Sequence, residues 1–239
     1  MTERYARQLN LPHWTPETQQ HLAAARVLVV GAGGLGSAVL PYLVAAGIGL
    51  TGIVEDDRVD LTNLQRQVLY DTQDIGVPKA EAASRRLAAL NPDVEIRSHR
   101  TRLEPGNAAA ILAGYDLVVD CTDNSAAREL LNRTCLNLEK PWIHAAVSEY
   151  FGQVTTLLPG GPCWQCLSGT GAPADPPPAG ILGPVAGLIG SVQATEALKQ
   201  LTGTGRLLVE RLLVWDALLP GWAEFSYRRN PDCWACGRG

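Results

Sequence analysis

The sequence lacks an excess of positive charge and lacks long uninterrupted hydrophobic runs. Its 239 residues include 20 lysines and arginines against 24 aspartates and glutamates, for a net charge of −4. Without a basic surplus we expect no nucleic-acid partner, because binding to a phosphate backbone depends on clustered positive charge. Glycines and the prolines Pro41 and Pro184 interrupt the most apolar stretches, 27–54 and 181–192. These stretches therefore predict buried core and not a membrane span.

The beginning of the sequence also lacks the apolar segment of a secretory signal, since Met1 to Arg7 are mostly polar and charged. We therefore expect a cytoplasmic protein without membrane attachment. Hydrophobic residues make up 46% of the chain and charged residues 18%, a balance that favours a folded chain over disorder. No internal repeat is visible, and we expect a single domain over residues 1–239.

Short apolar strands alternate with helices in the region 26–150, after an N-terminal arm or helix over 1–25. This alternation predicts a doubly wound, Rossmann-like α/β sheet with parallel strands. Pro41 lies inside the helix after the first strand, and it predicts a kink or a loss of stability there. The predicted strands are 26–30, 50–54, 93–98, 116–120 and 141–147; the first predicted helix ends at Ala46, and the others span 78–90, 107–113 and 125–138.

The pattern changes in the region 151–239, where strands are predicted at 153–158, 207–215 and 222–227. We expect these strands to extend the sheet in antiparallel order. A crossover loop over 167–182 is rich in glycine and proline, and its stretch at 168–178 predicts a mobile segment. The helix predicted at 183–201 is almost uncharged, so it must be buried in the core or against a partner subunit.

A glycine-rich turn follows the first predicted strand, with Gly31, Gly33 and Gly36 in the spacing G-x-G-x-x-G. Missing side chains let the backbone approach a phosphate, whose charge then lies at a helix N-terminus. Glu55 ends the next strand, about 20 residues further on, where a carboxylate can bind both ribose hydroxyls. These features alone fit NAD as well as ATP.

Charged and amide side chains after the second strand favour a polyphosphate. The segment 63–67 reads Asn-Leu-Gln-Arg-Gln, and Lys79 opens the following helix. Arg66 and Lys79 together could neutralise a triphosphate and stabilise charge on a leaving group. The alternative is that both are ordinary solvated surface charges.

Asp123 follows the fourth predicted strand, in the segment Asp120-Cys-Thr-Asp-Asn124. Ligands bind at this end of the strands in open parallel sheets. Magnesium prefers one or two carboxylates together with phosphate oxygens and water, so Asp123 could hold it beside a triphosphate. The alternative role for Asp123 is to cap the next helix.

The six cysteines fall into two tight pairs and two isolated residues. The pairs Cys163/Cys166 and Cys233/Cys236 are C-x-x-C knuckles, whose four thiolates can complete a closed, tetrahedral and therefore structural zinc site. A catalytic redox pair is the alternative, but it would not need a second pair. Cys121 and Cys135 lie in apolar segments, and we expect both to be inert packing residues.

Several motifs in the same order together resemble the MoeB/ThiF/HesA family, over nearly the whole chain from Arg4 to Gly237. They are Arg4-Tyr-x-Arg7-Gln, Gly31-x-Gly-Gly-Leu-Gly36, Asn63-Leu-Gln-Arg-Gln67, Ile75-Gly-x-x-Lys79, Asp120-x-Thr-Asp-Asn124, Gly190-x-x-Gln193-Ala-x-Glu196 and the paired cysteine knuckles.

The resemblance implies a homodimeric relative of ubiquitin-activating enzymes. Such an enzyme uses ATP and Mg²⁺ to adenylate the C-terminal glycine of a ubiquitin-like sulfur-carrier protein that ends in Gly-Gly; sulfur is loaded afterwards. It also implies that Asp123 holds magnesium and that Arg7 reaches into the partner subunit's nucleotide site as an arginine finger. The implied ATP site comprises Gly31, Gly33, Gly34, Gly36, Glu55, Asp57, Asn63, Gln65, Arg66, Lys79, Asp123 and Asn124.

Three departures from the family pattern concern particular residues. The ribose-binding acid is Glu55, where relatives usually have Asp. His144 stands where relatives often have Gly, and we interpret it as a packing residue. The crossover loop has no cysteine, because the corresponding position falls near Pro176. We therefore expect the chemistry to stop at the acyl-adenylate, without a thioester step.

Other functions remain open at the level of the sequence. A NAD-dependent oxidoreductase would account only for the glycine turn and Glu55. Within the family, the substrate could be another carboxylate, such as a peptide C-terminus or a modified tRNA nucleoside. A non-catalytic scaffold would have little reason to keep Arg66, Lys79 and Asp123 together. The chain ends three residues after Cys236, so we expect a separate sulfurtransferase as a partner.

Overall fold

The computed structural model describes residues 3–169, 180–219 and 221–237. In this part of the chain, one sheet contains β1 (Arg26–Val30), β2 (Leu50–Val54), β3 (Glu95–His99), β4 (Leu117–Asp120), β5 (Trp142–Ser148), β6 (Phe151–Leu157), β7 (Arg211–Asp216) and β8 (Trp222–Ser226). The helices are α1 (Ala6–Leu9), α2 (Pro16–Ala24), α3 (Gly36–Ala46), α4 (Lys79–Leu90), α5 (Ala108–Ala113), α6 (Ser125–Asn137), α7 (Trp164–Ser168) and α8 (Gly183–Thr202).

The strands lie in the order β3-β2-β1-β4-β5-β6-β7-β8. The first five in chain order pair in parallel. The tight connection from β5 to β6 reverses the direction, and β6, β7 and β8 pair antiparallel. The predicted fold class, a doubly wound sheet that becomes antiparallel in its C-terminal part, is confirmed.

Helices cover both faces of the parallel part of the sheet, which explains why its central strands are apolar without alternation. In β1, Val27 and Val29 point into a core that includes residues of α3, α4 and α8, whereas Leu28 and Val30 point into a second core with α5 and α6. Successive side chains of a strand face opposite sides. The chain therefore builds two hydrophobic layers around one sheet.

Helix α8 lies against α3 and buries one of its faces in the first core. A Cβ atom on Gly190 would lie 2.6 Å from the carbonyl oxygen of Leu35, so glycine is required for this close helix contact. Pro41 lies within α3, and the helix continues through it to Ala46. Burial of the helix on the sheet and α8 offsets the hydrogen bond that proline cannot make.

Most element limits lie within two residues of prediction, but one strand begins later, one helix was not predicted, and one prediction cannot be compared. Strand β7 begins at Arg211 and not at Leu207, because Val209 makes only an isolated bridge and Glu210 has φ of 58°. Helix α7, within the first cysteine knuckle, was not predicted. The segment predicted to be mobile falls mainly on residues 170–179, outside the described part of the chain. Among the described helices, none combines the length and hydropathy needed to span a bilayer.

Candidate functional site

The candidate site lies at the carboxyl ends of β1, β2 and β4. Strand β1 is flanked by β2 and β4, and the chain leaves β1 and β4 for helices on opposite faces of the sheet. A crevice opens at such a switch point in parallel α/β folds. Gly31, just after β1, lies against the residue after β4: a Cβ there would be 2.5 Å from the Cys121 carbonyl oxygen.

The glycine turn is shaped by close backbone contacts. Gly31 has φ of +95°, and a Cβ on Gly36 would lie 2.4 Å from the Gly31 carbonyl oxygen. The buried Tyr70 hydroxyl donates to the Ala32 carbonyl oxygen at 2.8 Å and fixes the turn. Because α3 begins at Gly36, the turn presents a helix N-terminus, which favours an anion.

Glu55 joins the glycine turn to the end of β2. One carboxylate oxygen accepts a hydrogen bond from the Ala32 amide at 2.9 Å, and the other accepts from the amides of Asp56 and Asp57 at 3.0 and 2.9 Å. The side chain is half-buried, and the oxygen that accepts from Ala32 has room for a further hydrogen bond. Glu55 is therefore held in a fixed orientation beside the glycine turn.

Lys79 is buried at the start of α4, and its Nζ lies 3.0 Å from Oδ2 of Asp57, which is mostly exposed. Arg66 lies over the glycine turn, since a Cβ on Gly34 would be 3.6 Å from its Cγ. The guanidinium group of Arg66 donates to the Thr62 carbonyl oxygen at 3.2 Å. Both predicted cations thus border the crevice.

The rest of segment 63–67 supports this edge of the crevice. Asn63 ends a 3₁₀ turn over 61–63, and its carbonyl oxygen accepts from the amides of Arg66 and Gln67. The exposed Gln65 lies at the start of α8, where a Cβ on Gly183 would be 2.4 Å from its carbonyl oxygen. The side chain of Gln67 is buried next to Gly33.

Asp123 is exposed at the other side of the crevice, in the loop between β4 and α6. The helix cap is Asn124, whose Oδ1 accepts from the Ala127 amide at 2.9 Å. The capping role that was the alternative for Asp123 therefore belongs to its neighbour. Asp123 has an exposed carboxylate at the crevice, as a magnesium ligand requires.

A buried polar network, which sequence reasoning did not identify, supports the Asp123 loop. Oδ1 of Asp120 accepts from the amide and hydroxyl of Thr122 at 3.0 and 2.7 Å, and Oδ2 lies 2.8 Å from His144 Nδ1. Arg128 donates to the Thr122 carbonyl oxygen at 3.0 Å, and its Nε lies 4.0 Å from Asp120 Oδ2. The network holds the loop through both its amide and its carbonyl groups.

His144 is buried, and its charge state follows from that burial. Desolvation lowers the pKa of its imidazole, against the opposing effect of the Asp120 carboxylate. A neutral ring in this setting carries its proton on Nδ1 and donates it to Asp120. Arg128 is then the cation that compensates the buried carboxylate.

The motif around Gln193 and Glu196 also supports the end of the sheet. The buried Gln193 donates from Nε2 to the carbonyl oxygens of Asp120 and Ile143, at 2.7 and 3.3 Å. The buried Glu196 accepts from the Thr156 hydroxyl and the Leu208 amide, both at 2.7 Å. The motif thus ties α8 to strands β4, β5 and β6.

Arg7 is not part of this crevice within its own chain. Helix α1 lies at the C-terminal end of α3, where Gln8 Nε2 donates to the Ala46 carbonyl oxygen at 3.1 Å and Tyr5 packs against Gly47. The 11 residues of α3 separate that end from the glycine turn, a distance of about 16 Å along the helix. Arg7 is exposed there.

The four paired cysteines form one cluster although the two knuckles lie far apart in the sequence. The sulfur atoms of Cys163 lie 3.9 Å from Cys166 and 3.7 Å from Cys233, and those of Cys166 and Cys236 lie 3.4 Å apart. Zn–S bonds of about 2.3 Å in a tetrahedron place sulfur atoms about 3.8 Å apart. The cluster is therefore compatible with zinc.

The two remaining cysteines are buried in the cores. Burial raises the pKa of the Cys121 thiol, with a further contribution from Asp120, and it likewise raises the pKa of Cys135. A buried thiol with a raised pKa is a poor nucleophile. Both residues behave as the packing residues that were predicted.

The fold and the glycine turn at its switch point place the chain among the Rossmann-like α/β proteins. More narrowly, the chain belongs to the ThiF family, which matches residues 5–235. It is 47% identical to a sulfur carrier protein adenylyltransferase of Thermus thermophilus, over 98% of this chain and 90% of that protein. It is 43% identical to the SAMP-activating enzyme E1 of Haloferax volcanii, over 99% of this chain and 89% of that protein.

The solved structure of Escherichia coli MccB with MccA-N7isoASN has the same fold, with a TM-score of 0.87. It covers 99% of this chain and 75% of the MccB chain, at 22% identity. That likeness concerns the fold alone. The predicted family is thus confirmed, and at the level of the family so is the predicted class of enzyme, an adenylyltransferase.

Proposed function

We propose that this protein uses ATP and Mg²⁺ to adenylate the C-terminal glycine carboxylate of a small ubiquitin-like sulfur-carrier protein, with release of pyrophosphate. The observation that carries the proposal is the convergence of Arg66, Lys79 and Asp123 around the glycine turn at the switch point. The name of the Thermus thermophilus relative, a sulfur carrier protein adenylyltransferase, supports the choice of substrate.

In this proposal ATP extends from Glu55 toward the N-terminus of α3. Its ribose lies at Glu55, whose carboxylate is already oriented beside the Ala32 amide. Its phosphates lie at the N-terminus of α3, between Arg66 and Lys79. These two cations neutralise the triphosphate and stabilise the charge that develops on pyrophosphate as it leaves. Asn63, Gln65 and Asn124 supply amide groups at the rim of the same site.

Asp123 is the residue that would hold Mg²⁺, because its carboxylate is exposed across the crevice from the glycine turn. When bound, the ion neutralises phosphate oxygens and aligns the α-phosphate. A second acidic group is available in Asp57, which lies beside Lys79. The residues present therefore fit a magnesium–nucleotide complex.

The reaction needs alignment more than acid–base chemistry. The carrier's carboxylate is ionised at neutral pH and attacks the α-phosphorus directly, and the bond to the bridging oxygen of pyrophosphate breaks. No proton has to be removed. This agrees with the position of His144, which is buried under the Asp123 loop network and donates to Asp120.

The product that leaves the site is the acyl-adenylate of the carrier. A thioester on the enzyme would require a reactive thiol, and the cysteines at positions 121 and 135 are buried with raised pKa values. The other four belong to the sulfur cluster. Thiocarboxylate formation then falls to a separate sulfurtransferase or sulfur donor.

The cluster of four cysteines would hold a structural Zn²⁺, which would join α7 to the C-terminal segment 233–236. Arg7 acts across a homodimer interface, because its place at the far end of α3 keeps it from its own crevice. We place the reaction in the cytoplasm. In this arrangement residues 26–150 bind the nucleotide, and residues 151–239 bind the carrier and zinc.

The test is ATP–pyrophosphate exchange with the purified protein, Mg²⁺ and a panel of carriers that end in Gly-Gly. We expect exchange that requires both one of the carriers and Asp123, and we expect Asp123→Asn to abolish it. Asp93→Asn, which removes an exposed carboxylate from the loop before β3, is the matched control and retains activity. ATP binding without exchange for any carrier would contradict the carrier proposal and point to another carboxylate.

A further inference from the structure

His144 has no part in the proposed chemistry, yet it lies directly beside the loop that carries Asp123. It pairs with Asp120 in the parallel ladder between β4 and β5. Both side chains are almost fully inaccessible to solvent. His144 thus contacts a buried carboxylate at the base of the loop that carries Asp123. This position suggests that it affects the geometry of the loop.

Asp120 connects His144 to the loop through hydrogen bonds to both of its carboxylate oxygens. Its Oδ2 accepts from His144 Nδ1 at 2.8 Å, and its Oδ1 accepts from both donors of Thr122 at 3.0 and 2.7 Å. Both oxygens thus accept hydrogen bonds, one from β5 and the other from the loop after β4. Because Thr122 immediately precedes Asp123, the rotation of the Asp120 carboxylate sets where the Asp123 side chain begins.

We propose that His144 is a positioning residue for the magnesium loop: its Nδ1–H fixes the rotation of the Asp120 carboxylate, and Asp120 fixes Thr122 and thereby Asp123. The inference rests on the proposed function, since it assigns Mg²⁺ to Asp123. Outer residues that orient a metal ligand typically change metal affinity or activity by ~10- to 100-fold when they are replaced.

The neighbouring cation explains why the hydrogen bond matters. Arg128 Nε lies 4.0 Å from the same Oδ2 atom, too far for a hydrogen bond but close enough to attract the carboxylate. Without the His144 donor, the Asp120 carboxylate is free to turn toward Arg128. That rotation would release Thr122 and loosen the loop while the overall fold remains intact.

The imidazole ring also packs against aromatic side chains, which allows packing to be separated from hydrogen bonding. Its centroid lies 5.8 Å from that of Trp142 and 6.2 Å from that of Trp164, both with edge-on geometry. Trp164 lies between Cys163 and Cys166 of the sulfur cluster. A ring without Nδ1–H would keep these contacts, whereas a short amide would lose them.

Two substitutions therefore separate the two contributions. His144→Phe keeps a ring against the two tryptophans and removes the donor. His144→Asn removes the ring, and its amide NH₂ can occupy the position of Nδ1 and donate to Asp120. The measurement is calorimetric titration with ATP, with and without MgCl₂, together with zinc content and thermal unfolding of each variant.

We expect His144→Phe to reduce the Mg²⁺-dependent gain in ATP affinity by ~10- to 100-fold, with ATP affinity in the absence of Mg²⁺ unchanged. We expect His144→Asn to keep most of that gain. Should His144→Phe fail to fold, Thr122→Val tests the other end of the same chain of contacts. It removes the hydroxyl donor to Asp120 and is expected to reduce the gain in the same direction.

A full Mg²⁺-dependent gain in folded His144→Phe, or in Thr122→Val where the Phe variant does not fold, would overturn the inference. A gain lost equally in the Asn and Phe variants would overturn it too, because ring packing would then be responsible. Magnesium-dependent ATP binding by the wild type without exchange on any carrier would refute only the carrier substrate. An absent gain in the wild type would refute both the inference and the magnesium site.

Discussion

Lys79 illustrates, at the scale of single residues, how a buried cation can prepare a site for an anion. Its side chain is 6% exposed, whereas that of Asp57, its ion-pair partner, is 63% exposed. A solvated carboxylate compensates a buried ammonium group only in part. A bound triphosphate would complete the compensation, which is why we assign Lys79 to the nucleotide.

Replacing Lys79 by Ala is therefore expected to lower the rate of ATP–pyrophosphate exchange by ~10²- to 10³-fold, the typical effect of removing one group that stabilises developing charge. Arg86→Ala is the matched control, because it removes one positive charge from the exposed side of the same helix. Exchange that is reduced equally in both variants would show that net charge, and not the placement of Lys79, is responsible.

Residue types and spacings led to the predicted rim of the site, whose roles stay predictions, but they did not reveal the network that supports it. Arg66, Lys79 and Asp123 belong to short motifs, and the residue types in these motifs indicate phosphate and metal binding. The contact of His144 with Asp120 depends on the β4–β5 register, which joins residues 24 positions apart. No local pattern encodes such a register, and so His144 was interpreted only as a packing residue.

The glycine turn, at the scale of elements, makes a prediction about close contact. Gly31 and Gly76 both have positive φ, +95° and +83°, but a Cβ added to Gly31 would meet backbone atoms within 4 Å, whereas one added to Gly76 would meet none. Gly76→Ala carries the conformational cost of a positive φ alone, about 1–2 kcal/mol. Gly31→Ala adds a clash with Cys121 and should lower the free energy of unfolding by clearly more, and it should also abolish ATP binding.

Chemical denaturation of each variant measures its loss in the free energy of unfolding, and calorimetry measures ATP binding. Equal destabilisation of the two variants would mean that a Cβ atom at position 31 does not clash with the Cys121 carbonyl group after β4. The same would follow if Gly31→Ala bound ATP as the wild type does.

The sulfur cluster links α7 to the C-terminal segment, and this gives a second prediction for elements. We expect one zinc ion per chain, and Cys236→Ser should lose it and lower stability by on the order of a few kcal/mol, because a long loop is no longer closed. Cys135→Ala, which removes a buried thiol outside the cluster, should keep its zinc. Elemental analysis and thermal unfolding test both statements; zinc retained by Cys236→Ser would contradict the four-cysteine site.

The central strands of the parallel half were well predicted because they are apolar, short and bounded by polar turns. β1 and β2 match their predicted limits, Arg26–Val30 and Leu50–Val54. In the antiparallel half, β7 and β8 are partly or fully exposed, so the hydrophobic pattern defines their ends less sharply. The position of β7 between β6 and β8 follows from tertiary pairing, which no local pattern contains.

The position of Arg7 makes a prediction at the scale of the whole molecule. If Arg7 acts in the partner's crevice, Arg7→Ala and Asp123→Asn should each be inactive as pure proteins. Mixed dimers would then contain one site with both residues intact, and subunit exchange at equal amounts should restore about one quarter of wild-type exchange activity. No recovery, despite mixed dimers seen by native mass spectrometry, would contradict action across an interface.

The most direct test of the central claim is the mass of the carrier after incubation with this protein, ATP and Mg²⁺. We expect a carrier with a free C-terminal Gly-Gly to gain the mass of one adenylyl group, and the same carrier with an amidated C-terminus to gain none. An unmodified free carrier, or equal modification of the amidated form, would contradict adenylation of the terminal carboxylate.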